Sequence, residues 1–131
     1  MILTFSKERF KYSYKAGIKK HSFRDDPTNR WKAGMSIQMW LHNPRNYNSH
    51  PDIHCFSDKE HCVSVQLVHF DPYHQVLTVF RGVKEGKEVW DKISDVEQVA
   101  INDGFDSTRM FWYWFDKEKT MKCIHWTDLK Y

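Results

Sequence analysis

The sequence lacks the features that would send it to a membrane, a secretory route or an extended assembly. No apolar run approaches the roughly 20 residues needed to span a bilayer. The opening Met1-Ile2-Leu3-Thr4-Phe5-Ser6-Lys7-Glu8 turns charged too soon for a signal peptide. No internal repeat, linker or low-complexity stretch interrupts the 131 residues, so a single domain, 1–131, is expected. A chain of this length buries roughly two-thirds of its unfolded surface. Cysteine is scarce: Cys55, Cys62 and Cys123 cannot all pair within one chain, which points to reduced thiols and a cytoplasmic setting. Strong charge is also missing. A net charge of +3 and a pI near 8.7 permit an anionic partner. They fall short of the basic footprint, pI above about 9, of an obligate nucleic-acid binder.

Aromatic residues, at 16%, are abundant and supply a large-side-chain core. Leu3–Ser6 reads as a short strand, and Ser6 as the N-cap of a helix from Lys7 to about Ala16. Met35–His42 alternates, with Ile37, Met39 and Leu41 against Ser36, Gln38, Trp40 and His42, a clear strand signal. Asn43–His61 is polar and aperiodic and reads as a long loop. Strands are expected again over Cys62–Phe70, Gln75–Arg81, Glu88–Trp90 and Thr120–Thr127. Between the last two, Ser94-Asp95-Val96-Glu97 forms a capping box for a helix that Gly104 closes. A second helix, from Asp106 or Ser107 to about Lys117, carries Met110–Phe115, apolar nearly all round, so that much of it is expected to be buried. This order predicts an α+β chain, a small mixed β-barrel with flanking helices.

The chemistry-bearing stretch is Gly17-Ile18-Lys19-Lys20-His21-Ser22-Phe23-Arg24, stopped by Asp25-Asp26-Pro27. With Phe23 facing the core, alternation sets Ser22 and Arg24 together on the other face. Lys19, at the strand's start, has the reach to return its amine over Ser22. An amine, a hydroxyl and a guanidinium in one place suit amide or phosphate chemistry; an edge strand decorated with charge is the alternative. Trp31, between Arg30 and Lys32 in a loop, and Trp40 and Tyr47 beside it are candidates to stack a nucleobase, or else pack the rim. His54-Cys55 and His61-Cys62 hold residue types that suit zinc, but adjacent ligands are awkward and the spacing fits no common site. No metal and no cofactor are expected.

Four segments in this order carry a resemblance: Gly17–Arg24, Arg30-Trp31-Lys32-Ala33-Gly34, Cys62-Val63-Ser64-Val65-Gln66 and Ala100-Ile101-Asn102-Asp103-Gly104-Phe105. Together they resemble the ASCH-domain family, whose fold is related to the PUA RNA-binding domain. The resemblance implies a PUA-like barrel and a nucleoside or RNA partner. One branch of that family hydrolyses N4-acetylcytidine with a lysine, a threonine and a glutamate, onto which Lys19, Ser22 and Asp103 fall. Serine keeps the hydroxyl; aspartate withdraws the carboxylate by one methylene. Other members resemble RNA-binding modules or ribonucleases, in which Lys19 and Arg24 would stabilise a phosphorane. Lys20, Arg24, Arg30, Trp31 and Trp40 are then the expected ligand-binding residues.

In the hydrolase reading Lys19 acts as the base that activates Ser22, with Asp103 orienting it. Such a lysine must be largely neutral near pH 7. Burial beside Arg24 or Lys20 is the way to achieve this. Lys19 is therefore expected to be mostly buried, with Ser22 within hydrogen-bonding distance of its amine.

Overall fold

The computed structural model describes residues 1–43 and 54–131. Its elements are β1 (Ile2–Phe5), α1 (Glu8–Lys15), β2 (His21–Arg24), β3 (Ser36–Leu41), β4 (Cys55–His61), β5 (Ser64–Asp71), β6 (Val76–Lys84), β7 (Lys87–Lys92), α2 (Val96–Asn102), α3 (Thr108–Trp114) and β8 (Lys119–His125). The chain is α+β, as its alternation patterns imply. The expected barrel is not formed among the described residues, because the strands divide into two open sheets. One has the order β1-β3-β4 and the other β2-β8-β5-β6-β7. β1 runs parallel to β3, with Leu3 opposite Met39, and every other pairing is antiparallel. Leu3, Ile37 and Met39 from the first sheet share one core with Phe23, Phe70, Val79 and Ile124 from the second. No described helix is long and apolar enough to cross a membrane.

Part of the stretch expected to be loop is strand: β4 pairs with β3, Ser36 opposite His61 and Trp40 opposite Cys55. The remainder of that expected loop, with Tyr47, lies outside the described residues. Among the described residues β4 is an edge strand, and its Cys-Phe-Ser-Asp-Lys-Glu-His run offers a single apolar ring, Phe56, packed against Phe5 and Tyr14, so alternation gave no signal. Tyr14 of α1 ties it down by donating to Glu60 Oε1 at 2.6 Å, with Ser57 Oγ 3.0 Å away.

The caps also differ from expectation. Lys7, not Ser6, is the N-cap of α1 and makes no side-chain cap bond. Asp95, not Ser94, caps α2 by accepting from the Gln98 N–H, a one-residue shift between two competent acceptors. Ser107 caps α3 as expected, but α3 stops at Trp114 and buries only part of its run. Phe111 and Trp112 are buried, whereas Met110, Tyr113 and Trp114 reach solvent.

Two helix ends set the position of everything that follows. At the end of α1, Gly17 N–H donates to Tyr14 O and Ile18 N–H to Ser13 O, a Schellman turn with Gly17 at φ +75°. At the end of α2, Gly104 N–H donates to Ile101 O and Phe105 N–H to Ala100 O, the same turn with Gly104 at φ +93°. The first turn throws Lys19 back toward the second, and Lys20 N–H donates to Asn102 O at 2.7 Å to join them. The contact is close at Gly104: an added Cβ would lie 2.8 Å from Ser13 Oγ, 3.1 Å from Phe10 and 3.2 Å from the Lys19 stem. Around Gly17 no described residue comes within 4 Å of that position. Gly17→Ala should therefore cost only backbone strain, about 1 kcal/mol. Gly104→Ala adds a steric clash and should cost about 2–3 kcal/mol. Urea unfolding of the two variants checks this, with Gly104→Ala expected to be clearly the less stable.

Candidate functional site: a buried lysine over a cleft

Lys19 is 3% exposed and so is Asp103, the C-cap residue of α2. The last carbonyls of a helix have no partner inside it, and a cation satisfies them well. Lys19 Nζ does so, donating to Asp103 O at 2.5 Å and to Asp103 Oδ1 at 3.2 Å. Three rings surround the amine: Phe10 at 4.9 Å, Phe5 at 5.3 Å and Trp126 at 5.9 Å from Nζ. Burial pushes the Lys19 pKa below its ordinary value, and the Arg24 charge pushes the same way. Asp103 pulls against both, through its charge and its hydrogen bond.

Beside the amine opens a cavity of about 510 Å³, lined by Lys19, Asp103, Ser22 and Arg24 among polar groups and by Phe5, Phe10, Phe105 and Trp114 among rings. Ser22 and Arg24 share the cleft face of β2, as alternation requires, and Phe23 packs into the core. Arg24 Nε donates to Ser22 Oγ at 3.2 Å, and its Nη2 donates to Thr4 O at 2.6 Å. Its guanidinium lies 5.0 Å over the Phe5 ring. Burial lowers its pKa to about 10, so it stays charged at neutral pH. The expected contact between Lys19 and Ser22 is thus replaced by two others: the amine donates to Asp103, and the serine oxygen accepts from Arg24.

The residues expected to hold a base sit elsewhere. Trp31 is 7% exposed and belongs to the core. It is turned inward because Asp26 grips its loop, accepting from Arg30 N–H and Trp31 N–H at 2.8 Å each and from Lys122 Nζ at 2.7 Å. Those bonds outweigh burial and hold the Asp26 carboxyl down at about 2. Trp40 is also buried, its Nε1 donating to Gln38 Oε1 at 3.3 Å. Neither ring lines the Lys19 cavity, so neither is placed to stack a base there. Arg30 is exposed, Lys20 is half-buried, and neither lines the cavity. Among the described residues no three His, Cys, Asp or Glu side chains cluster as a metal site would require. Cys55, Cys62 and Cys123 are free thiols, and Cys62 Sγ donates to Ser64 O at 3.5 Å.

Sequence reasoning missed His21. It lies behind Asp103, fully buried, with Nδ1 3.3 Å from Asp103 Oδ1 and Nε2 bonded to the Tyr131 hydroxyl. Its signal was available: alternation puts His21 on the same core-facing side as Phe23. His125, opposite His21 in the β2–β8 pairing, packs its ring at 5.3 Å and directs Nε2 to Gln66 Oε1 at 2.9 Å. Burial, then the charges of His21 and Lys130, depress His125 to about 3, and burial lowers His21 as well.

Both imidazoles stay neutral in the folded protein at a pH where the unfolded chain charges them. The unfolded state then binds more protons, so stability falls as pH drops below about 6.5. Chemical unfolding followed by tryptophan fluorescence reads this dependence. Its free energy should fall more steeply per pH unit below about pH 6.5 than above it, as histidines begin to charge in the unfolded chain alone. His125→Gln should reduce that added steepness.

Compared with the models of known protein families, with curated proteins and with solved structures, the chain matches none.

Proposed function

We propose that the chain is a nucleoside-directed amide hydrolase of ASCH type, acting on an acylated cytidine such as N4-acetylcytidine. The observation that carries this reading is the bonding of Lys19. A neutral amine has two N–H groups, and here Asp103 O and Oδ1 accept from Nζ. In the neutral form those two acceptors take both hydrogens, which leaves the lone pair to act as a base. The cavity beside it, about 510 Å³, is in the range that suits a small ligand. Phe5, Phe10, Phe105 and Trp114 supply apolar walls for a base ring.

In this reading Lys19 takes the proton from Ser22 Oγ as the oxygen attacks the acyl carbon. Ser22 turns toward the amine on substrate binding, since catalytic hydrogen bonds are often looser in the empty site. Arg24, charged and already donating to Ser22 Oγ, stabilises the oxyanion that develops. The carbon–nitrogen bond then breaks, and the Lys19 ammonium returns the proton to the leaving exocyclic nitrogen. Water, deprotonated by Lys19 in turn, attacks the acyl carbon; the bond to Ser22 Oγ breaks, the Lys19 ammonium returns its proton to Oγ, and the acid released ionises to a carboxylate. Asp103 is held by the α2 C-terminus itself, so a carboxylate one methylene shorter than glutamate still meets the amine. The same reading takes the two sheets as an opened relative of the PUA barrel, and the free thiols suit a cytoplasmic setting.

RNA binding through stacking on Trp31 and Trp40 loses support from their burial. Incubation with N4-acetylcytidine, followed by separation of cytidine from substrate, tests the proposal. Turnover is expected, with a fall of about a hundredfold or more in Lys19→Ala and Ser22→Ala and no change in Arg30→Ala. Turnover that survives both active-site changes contradicts the mechanism. No turnover, together with salt-dependent affinity for RNA, replaces the hydrolase by a phosphate-binding module.

A further inference from the structure

Behind the cleft, a line of hydrogen bonds leads away from Asp103 to the opposite side of α2. Asn102 Nδ2 donates to the Tyr131 hydroxyl at 3.0 Å, and Asn102 Oδ1 accepts from Gln98 Nε2 at 2.9 Å. The Tyr131 hydroxyl, already an acceptor, has its own proton to give, and its neighbour is His21 Nε2. An imidazole that accepts at Nε2 and is neutral carries its hydrogen on Nδ1. Nδ1 itself lies 3.3 Å from Asp103 Oδ1, an approach short of a formed hydrogen bond, and among the described residues it is a buried nitrogen with no other partner. The opposite tautomer would set a nitrogen lone pair against the carboxylate. Tyr131 is itself fixed, because its N–H donates to Gln66 Oε1 and its carbonyl accepts from Gln66 Nε2, at 2.9 Å each.

We propose that His21, locked by Tyr131 and Asn102, is a positioning residue for the Lys19–Asp103 pair, its Nδ1–H set beside the carboxylate oxygen to which the amine donates. The proposal rests on reading Lys19 as the proton acceptor. The direction of the effect follows from electrostatics. A polarised N–H 3.3 Å from Asp103 Oδ1 draws charge away from that oxygen and weakens its hold on the Lys19 proton. The groups facing Lys19 are Asp103 at the α2 end, Arg24 and His21 on β2, and Cys123 on β8. Those facing His21 are Asp103, Lys19, His125 and Tyr131. Among these, Asp103 alone pairs with both Lys19 and His21. Without the His21 donor, Lys19 should hold its proton to higher pH.

Two measurements test this. Long-range proton–nitrogen NMR of histidine rings should find His21 neutral and protonated on Nδ1 from pH 5 to 8. In Tyr131→Phe, which keeps the ring but removes the hydroxyl, the two tautomers should mix. Hydrolysis of N4-acetylcytidine should show kcat roughly tenfold lower in Tyr131→Phe and His21→Leu, KM unchanged, and the acid limb of the pH profile moved upward. His21→Asn, whose amide offers an N–H near the Nδ1 position, should recover most of the loss. A wild-type His21 protonated on Nε2, or on both nitrogens, overturns the proposal whatever the variants do. So does a pH profile unmoved in folded variants. Wild-type protein that leaves N4-acetylcytidine intact overturns the hydrolase reading, and the ring tautomer still decides the placement of His21.

Discussion

An amine that finishes the C-terminus of a helix from outside it is the constraint on which the site depends. Asp103 ends α2 with a carbonyl that the helix cannot satisfy, and Lys19 arrives from the end of another helix to accept the task. For that to happen, two chain reversals must face each other at close range. Gly17 and Gly104 make both reversals possible, and the bare Gly104 Cα leaves room for the lysine stem to pass. The Lys20 bond to Asn102 then fixes the register in which β2 leaves the junction. Ser22 and Arg24 reach the cleft because that register is set two residues earlier.

A buried lysine and aspartate add little net stability, because removing two charges from water costs about what their attraction returns. The pair is better understood as a device whose protonation is delicately balanced. Burial and Arg24 favour the neutral amine; Asp103 and the helix end favour the charged one. Small changes in how Asp103 is held therefore act on Lys19. The surrounding aromatic side chains keep the contest in a medium of low dielectric, where each contribution is larger than in water. Below, the neutral His21 and His125 extend that dry environment through β2 and β8.

Much of this was legible in the sequence where one physical rule dominates. Period-two alternation located β3, β5 and β8, and glycine marked both helix ends. The Ser22–Arg24 pairing followed from alternation alone. Legibility failed where several rules compete or where pairing is decided by distant residues. β4 offers a single apolar ring and is strand only because β3 is there to pair with it. The expected barrel depended on closure between sheets, which no local pattern encodes. Trp31 looked free between two cations, yet Asp26, five residues earlier, pins the loop and turns the ring inward. His21 was passed over because alternation was applied to the cleft face of β2 and not to its reverse.

A Lys19 that serves as a base carries a free lone pair at neutral pH, and this can be read without any substrate. NMR titration of the Lys19 side chain, in protein labelled at lysine and assigned by Lys19→Arg, reads its protonation directly. The expected midpoint lies well below that of an ordinary lysine, about 10.4, and below that of every exposed lysine in the same sample. A Lys19 midpoint at or above the exposed set would mean that Asp103 and the α2 terminus hold the proton. The amine would then be a permanent cation, and the cleft a binding site without a base.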